Sequence, residues 1–111
     1  MKTTILGILI VALISIVCGI AAVQAEIKVG IAGPLSGSAL IGGEQIEIGA
    51  LKAIEHLNKK GGLLGQKIVA ISVDDACEAR QAKAVARQLV SEGVVFVAGQ
   101  ACSACSLADS K

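Results

Sequence analysis

The chain has 111 residues, 54% of them hydrophobic, with ten Lys and Arg against nine Asp and Glu, one Phe, and no Trp or Tyr. A near-neutral balance without a basic run or an acidic tail argues against a surface built for nucleic acid, and so does the lack of aromatic rings for base stacking. One His and four Cys without paired ligand spacing give no expectation of a metal centre.

At the amino terminus, Lys2 precedes an apolar stretch from Ile5 to Ile20, and Val23-Gln24-Ala25 has the small-x-small form of a cleavage site. This layout predicts a secretory signal peptide over residues 1–25, cut after Ala25. Two other readings weigh less. One is a retained membrane anchor, because Ile5 to Val23 carries no charge. The other is a lipid-modified Cys18, against which the bulky Val17 counts. With Lys2 set aside, nine basic residues balance nine acidic ones, so residues 26–111 are formally neutral. Export allows disulfides. Cys77, Cys102 and Cys105 remain after Cys18, which predicts one bridge plus a spare thiol, with three pairings open.

Ile27 to Ala32 reads as a first strand, ended by Gly33 and the single proline, Pro34. Gly30 within it suggests a close backbone approach. A glycine-rich loop follows, from Pro34 to Gly43. The positions Ile46, Gly49, Ala50, Ala53, Ile54 and Leu57 then fall at helical spacing, with Glu44, Glu47, Lys52, Glu55 and Lys59 largely off that stripe. Glu55 and Lys59 form a supportive i,i+4 pair, and Gly61-Gly62 ends the helix. Ile68 to Val73 is a second strand, closed by Asp74 and Asp75. A second helix presents Ala82, Val85, Ala86, Leu89 and Val90 on one face and Arg80, Lys83, Arg87 and Glu92 on the other, with Gly93 as its stop. Val94 to Ala98 is a third strand, followed by the start of a further helix.

Apolar strands without polar alternation are expected where helices cover both faces, and therefore in a parallel sheet. Two right-handed crossovers make this an α/β fold, a doubly wound parallel sheet of the Rossmann-like βαβαβ kind. Three strands leave apolar edges, so residues 26–111 read as the first part of a larger domain.

In such sheets ligands bind beyond the carboxyl ends of the strands, at the switch point. The loops there are Gly33 to Gly43, Asp74 to Glu78 and Gly99 to Ser106. The first lacks both the dinucleotide fingerprint and the Gly-Lys-Ser/Thr ending of a phosphate loop, so no nucleotide cofactor is expected. Its Ser36 and Ser38 read first as turn formers. In the third loop, Gly99 permits close approach, and Ser103 or Ser106 can cap a helix whose first amides would receive a carboxylate or phosphate. On this segment alone, an ordinary cap weighs more than a ligand site. Cys102-Ser103-Ala104-Cys105 is a C-x-x-C at a helix start, the pattern of an exported thiol–disulfide protein. His56 lies on a polar helix face. Asp74 and Asp75 are neighbours on extended backbone, whose side chains diverge, so they do not read as a catalytic pair.

Four ordered segments carry a resemblance. Ile27-Lys28-Val29-Gly30-Ile31-Ala32-Gly33-Pro34-Leu35-Ser36-Gly37, Asn58-Lys59-Lys60-Gly61-Gly62-Leu63-Leu64-Gly65, Asp74-Asp75-Ala76-Cys77 and Gly99-Gln100-Ala101-Cys102-Ser103 together resemble the amino-terminal part of the periplasmic leucine/isoleucine/valine-binding proteins. These are the substrate-binding components of branched-chain amino acid ABC transporters. The resemblance implies a non-enzymatic, exported protein, periplasmic or at the cell surface, of two lobes that close on a free amino acid and then dock on a membrane permease. Residues 26–111 would be a partial amino-terminal lobe. It also implies that Cys77 and Cys102 form the disulfide, that Cys105 is the spare thiol, and that the hydroxyl and amide of Ser103 hold the ligand's α-carboxylate. Relatives that bind branched-chain amino acids usually carry a tyrosine against the ligand in the first loop, where this chain has Gly42. The alternatives are a redox protein using Cys102 and Cys105, and the ligand-sensing domain of a receptor with the same fold.

Overall fold

The computed structural model of the chain describes residue 1 and residues 25–110. The expected signal peptide and the lipid-site reading of Cys18 rest on residues 2–24 and lie outside the described residues. Three strands, β1 (Ile27–Gly33), β2 (Ile68–Asp74) and β3 (Phe96–Ala98), alternate with three helices, α1 (Leu40–Lys59), α2 (Ala79–Ser91) and α3 (Ser103–Asp109). A 3-10 turn, Gly37–Ala39, leads into α1. The sheet is parallel, in the order β2–β1–β3. Ile27 pairs with Ile68 and Gly33 with Asp74 on one side of β1, while Val29 pairs with Phe96 and Ile31 with Ala98 on the other. This is the doubly wound α/β arrangement expected from the strand composition.

Side chains alternate across β1, and each face meets a different helix. A Cβ at Gly30 would lie 2.9 Å from Leu89 Cδ1 of α2, whereas one at Gly33 would lie 3.7 Å from the Gly43 Cα of α1. The missing side chain at Gly30 therefore lets α2 settle directly on the central strand. Ala32, Val85 and Leu89 form the buried cluster on that face, packed against Ile71, Val73 and Val94. Ile31, only 1% exposed, points to the face that α1 covers.

Several boundaries differ from the sequence expectation. The glycine-rich stretch to Gly43 is not all loop, because α1 already begins at Leu40. Gly42 and Gly43 belong to its first turn, where a Cβ at Gly43 would lie 1.9 Å from the Pro34 carbonyl oxygen. Its half-buried stripe is also narrower. Ile46, Ala50, Ile54 and Asn58 are half-buried, while Gly49, Ala53 and Leu57 are exposed. The third strand starts at Phe96, two residues later than expected. The Val94 amide closes the end of α2 by donating to the Leu89 carbonyl, and the Val95 amide donates to Lys28 of β1.

One side chain of α1 fastens the first crossover. Asn58 accepts the Ile68 amide at 2.8 Å and donates to the Ile68 carbonyl at 2.7 Å, so the last turn of α1 holds the first residue of β2. Gly93 carries α2 past its end with a φ of 77°. The Lys28 ammonium caps the helix by donating to the Glu92 carbonyl.

Candidate ligand site

The parallel register brings all three strand ends to one edge of the sheet. Gly33 stands beside Asp74, and Ile31 stands beside Ala98. The chain moves from β1 outward to β2 and then back across to β3, so the switch point falls between β1 and β3.

Asp74 ties the first two loops together. Its Oδ1 accepts the backbone amides of Leu35 and Ala76, both at 2.8 Å. A hydrogen bond from the Ser36 hydroxyl is the main reason its carboxyl lies below the usual carboxylate value, and the amides of Ala76, Leu35 and Ser36 act in the same direction against desolvation. Ser36 thus serves this carboxylate, while Ser38 remains exposed in the 3-10 turn.

Asp75 points the other way and is fully buried. Its amide donates to Gly33, and its Oδ1 accepts the Cys77 amide at 2.8 Å. Ala76 and Cys77 both take left-handed backbone, with φ of 49° and 62°. That conformation is costly for residues with a Cβ and persists only where surrounding contacts impose it. Here the Asp75 carboxylate and a disulfide impose it. Cys77 is bonded to Cys102, with their Cα atoms 5.6 Å apart. The bridge joins the second loop to the third.

In the third loop, Gly99 has a φ of 142°, and a Cβ there would lie 2.0 Å from the Ala32 carbonyl oxygen. The loop is thereby pressed onto the end of β1. Cys102 occupies the cap position of α3, without a side-chain cap hydrogen bond. This corrects the expectation that Ser103 or Ser106 caps the helix. Ser103 is the first helical residue, exposed at the edge, and the Ser106 hydroxyl leans back to the Cys102 carbonyl at 3.5 Å. The disulfide fixes Cys102 in place, which makes a hydroxyl cap unnecessary for starting this helix. Gly42 faces the same loop, and a Cβ there would sit 4.0 Å from the Ala101 Cβ.

Cys105 is a free cysteine, fully buried. Burial pushes its thiol pKa up, and the charges of Asp75, Asp109 and Glu78 add to that. A thiol held protonated, next to a Cys102 already bonded elsewhere, is poorly suited to exchange chemistry. His56 is exposed in the last turn of α1. Among the described residues no group of three or more His, Cys, Asp or Glu is placed to hold a metal ion. A groove of about 420 Å³ lies between α2 and α3, lined by Lys83, Arg87, Val90 and Asp109, rather than at Ser103. Sequence reasoning missed two residues, Asn58 as the clasp of the crossover and Asp75 as a buried group. The adjacent Asp74-Asp75 pair hinted at the second, but nothing in its pattern marked which carboxylate turns inward.

An edge of this kind, fixed from below by the sheet and cross-linked between loops, is where open α/β sheets hold small molecules. Residues 26–109 match the periplasmic binding protein family, and the chain belongs to that family. The Leu/Ile/Val/Thr-binding protein of Salmonella typhimurium is 45% identical over 78 residues, covering 70% of this chain and 21% of its own length. A branched-chain amino acid transporter substrate-binding protein from Streptococcus pneumoniae, solved in complex with isoleucine, superposes with a TM-score of 0.74 at 31% identity, over 77% of this chain and 25% of that one. A solute-binding protein of an ABC transporter from Rhodopseudomonas palustris, in complex with 3,4-dihydroxybenzoic acid, gives 0.64 at 33% identity, over 75% of this chain and 23% of that one. The chain thus spans a quarter or less of the length of these three relatives.

Proposed function

We propose that the chain is part of the substrate-binding component of an ABC transporter for amino acid uptake, with branched-chain amino acids as the ligands. The observation that carries this reading is that the family match over residues 26–109 takes in all three strand-end loops. The protein works without catalysing a reaction and without a cofactor. Two lobes close on the amino acid, and the closed form docks on a membrane permease. Residues 1–25 are a signal peptide removed after Ala25, and residues 26–111 belong to the amino-terminal lobe of an exported protein, periplasmic or at the cell surface. Ser103 anchors the ligand's α-carboxylate through its exposed hydroxyl and its first-turn amide, which has no partner within the helix.

A second reading is favoured by Gly42, which leaves the space opposite Ala101 without a side chain. An aromatic acid, of the kind bound by the Rhodopseudomonas palustris relative, would present the same carboxylate to Ser103 and place its ring there. Amide-resolved NMR titration separates the two. Leucine, isoleucine or valine at millimolar concentration is expected to shift the Ser103 amide, with binding weaker than micromolar because one lobe supplies one wall of the cleft. Ser103→Ala is expected to remove the response. Shifts that leave Ser103 untouched would sink the carboxylate anchor, and a response to 3,4-dihydroxybenzoate alone would favour the aromatic acid.

A further inference from the structure

The three strand-end loops occupy one edge of the sheet, and the opposite edge carries a feature that ligand binding does not use. Between α1 and β2 the chain makes a tight turn, Leu63-Leu64-Gly65-Gln66. The Leu63 amide donates to the Gln66 carbonyl and the Gln66 amide to the Leu63 carbonyl, both at 2.9 Å. Leu64 and Gly65, the central residues, take φ of 52° and 75°. Two positive φ values in succession mark a type I′ turn, which favours Asn or Asp ahead of Gly. Here the first central residue is a leucine, 92% exposed.

That leucine is unfavourable in two ways. Left-handed backbone strains a residue with a Cβ, and at this exposure the side chain buries almost nothing in return. The turn is also fixed from both sides. The Gly62 amide donates to the Leu57 carbonyl at the end of α1, and Asn58 clasps Ile68 just beyond Lys67. Leu64 is thus a firmly held apolar knob, with the half-exposed Leu63 beside it. Strain kept without a gain in packing points to a function.

The surroundings say what meets the knob. Lys59, Lys60 and Lys67 flank the turn and are exposed. Lys59 pairs with Glu55, whereas among the described residues neither Lys60 nor Lys67 forms an ion pair. Of the acids at this edge, Glu26 lies on the entering segment, and Glu92 ends α2 on the other side of β1. The Ile27 amide donates to the Lys67 carbonyl at 2.9 Å, so the chain enters the fold here. Val23 ends the apolar stretch that begins at Ile5, and at four residues' distance it lies at most about 14 Å from Ile27.

An apolar knob flanked by free ammonium groups suits the boundary between acyl chains and anionic headgroups. We propose that the Leu63–Leu64 turn, with Lys60 and Lys67, is a surface that seats the chain on an anionic lipid bilayer. The proposal rests on the reading of residues 1–25 as an export segment, which brings a bilayer to this edge. Seated in this way, the chain holds the Ala25–Glu26 bond beside the headgroups and turns the ligand loops away from them.

Lysine acylation read by mass spectrometry tests this on the full chain. One set of vesicles contains phosphatidylglycerol and phosphatidylethanolamine in equal parts, and the other phosphatidylcholine alone. Lys60 and Lys67 are expected to react several-fold more slowly on the anionic vesicles, while Lys83, near the start of α2 at the opposite edge, reacts alike on both. Leu64→Asn installs the residue such a turn prefers, so its thermal midpoint should equal or exceed that of the wild type while most of the protection is lost. Protection that extends equally to Lys83, or that survives in full in Leu64→Asn, would overturn the proposal. A chain that floats with both vesicles while Lys60 and Lys67 stay fully reactive overturns the lipid contact and leaves the export reading intact. A chain that floats with neither overturns both.

Discussion

Two adjacent carboxylates have opposite surroundings. Asp74 faces the loops and collects hydrogen bonds from backbone amides and the Ser36 hydroxyl, which stabilise its charge. Asp75 turns into the protein, where one of its oxygens holds the Cys77 amide and the other has no donor. Alternation along extended backbone explains the divergence, and the sequence pattern already implied it. Which of the two turns inward depended on the register of β2 against β1. For Asp74, whose folded value is lowered, the stabilising contribution is present above the unfolded value of about 3.9 and is lost as pH falls through the folded one. Ser36→Ala is therefore expected to move the Asp74 carboxyl titration toward the ordinary carboxylate value. Asp74→Ala, which frees two loop amides, should cost about 1–2 kcal/mol in thermal or urea unfolding at neutral pH. An unchanged midpoint for that variant would mean that the two loops are held together by other contacts.

At the scale of elements, α2 was the most legible part of the chain. Its one-sided pattern matches its burial at Ala82, Val85 and Leu89, although Val90, expected on the same face, is exposed. The first helix was less legible. A double glycine ordinarily ends or precedes a helix, yet here Gly42 and Gly43 lie in its first turn, where only a glycine fits against Pro34 at position 43. The third strand lost Val94 and Val95 to a similar effect, since propensity marks them as strand while hydrogen bonding assigns Val94 to the end of α2. Asn58 shows how a single polar side chain can join two elements. Asn58→Ala removes both of its bonds to the Ile68 backbone and is expected to cost about 2 kcal/mol in urea unfolding. Asn58→Asp keeps the acceptor for the Ile68 amide and should lose less. Equal losses for the two variants would show that the acceptor half of the clasp contributes nothing.

Across the whole molecule, the disulfide is the one covalent link between distant parts of the chain among the described residues. It spans 25 positions and joins the loop after β2 to the start of α3. In the chain-entropy view, closing such a loop stabilises by about 3–4 kcal/mol, so reductant should lower the urea midpoint accordingly. Cys105, buried and with its thiol pKa raised, should react with a thiol reagent only after unfolding. Rapid labelling of Cys105 in the folded state would contradict its placement in the core. The β3 edge leaves Phe96 and Val97 64% and 43% exposed, while β1 is buried on both faces from Gly30 to Gly33. Full burial on both faces, inferred from apolar strands, thus holds for the second half of the central strand and not for the edge.

The sequence by itself determined the alternation of strands and helices, the parallel α/β class and the family, because hydrophobic period, turn residues and ordered motifs are local and survive without coordinates. It also marked Cys77 and Cys102 as a pair through resemblance, although spacing left three pairings open. Only the tertiary structure decided that Cys102, and not Ser103, caps α3, that Asp75 is buried, and that Gln100 bonds to Asp109. Those facts depend on which residues from three separate loops meet at one sheet edge. That meeting is set by strand register and by the close approach that Gly30, Gly43 and Gly99 allow, and no local pattern encodes it.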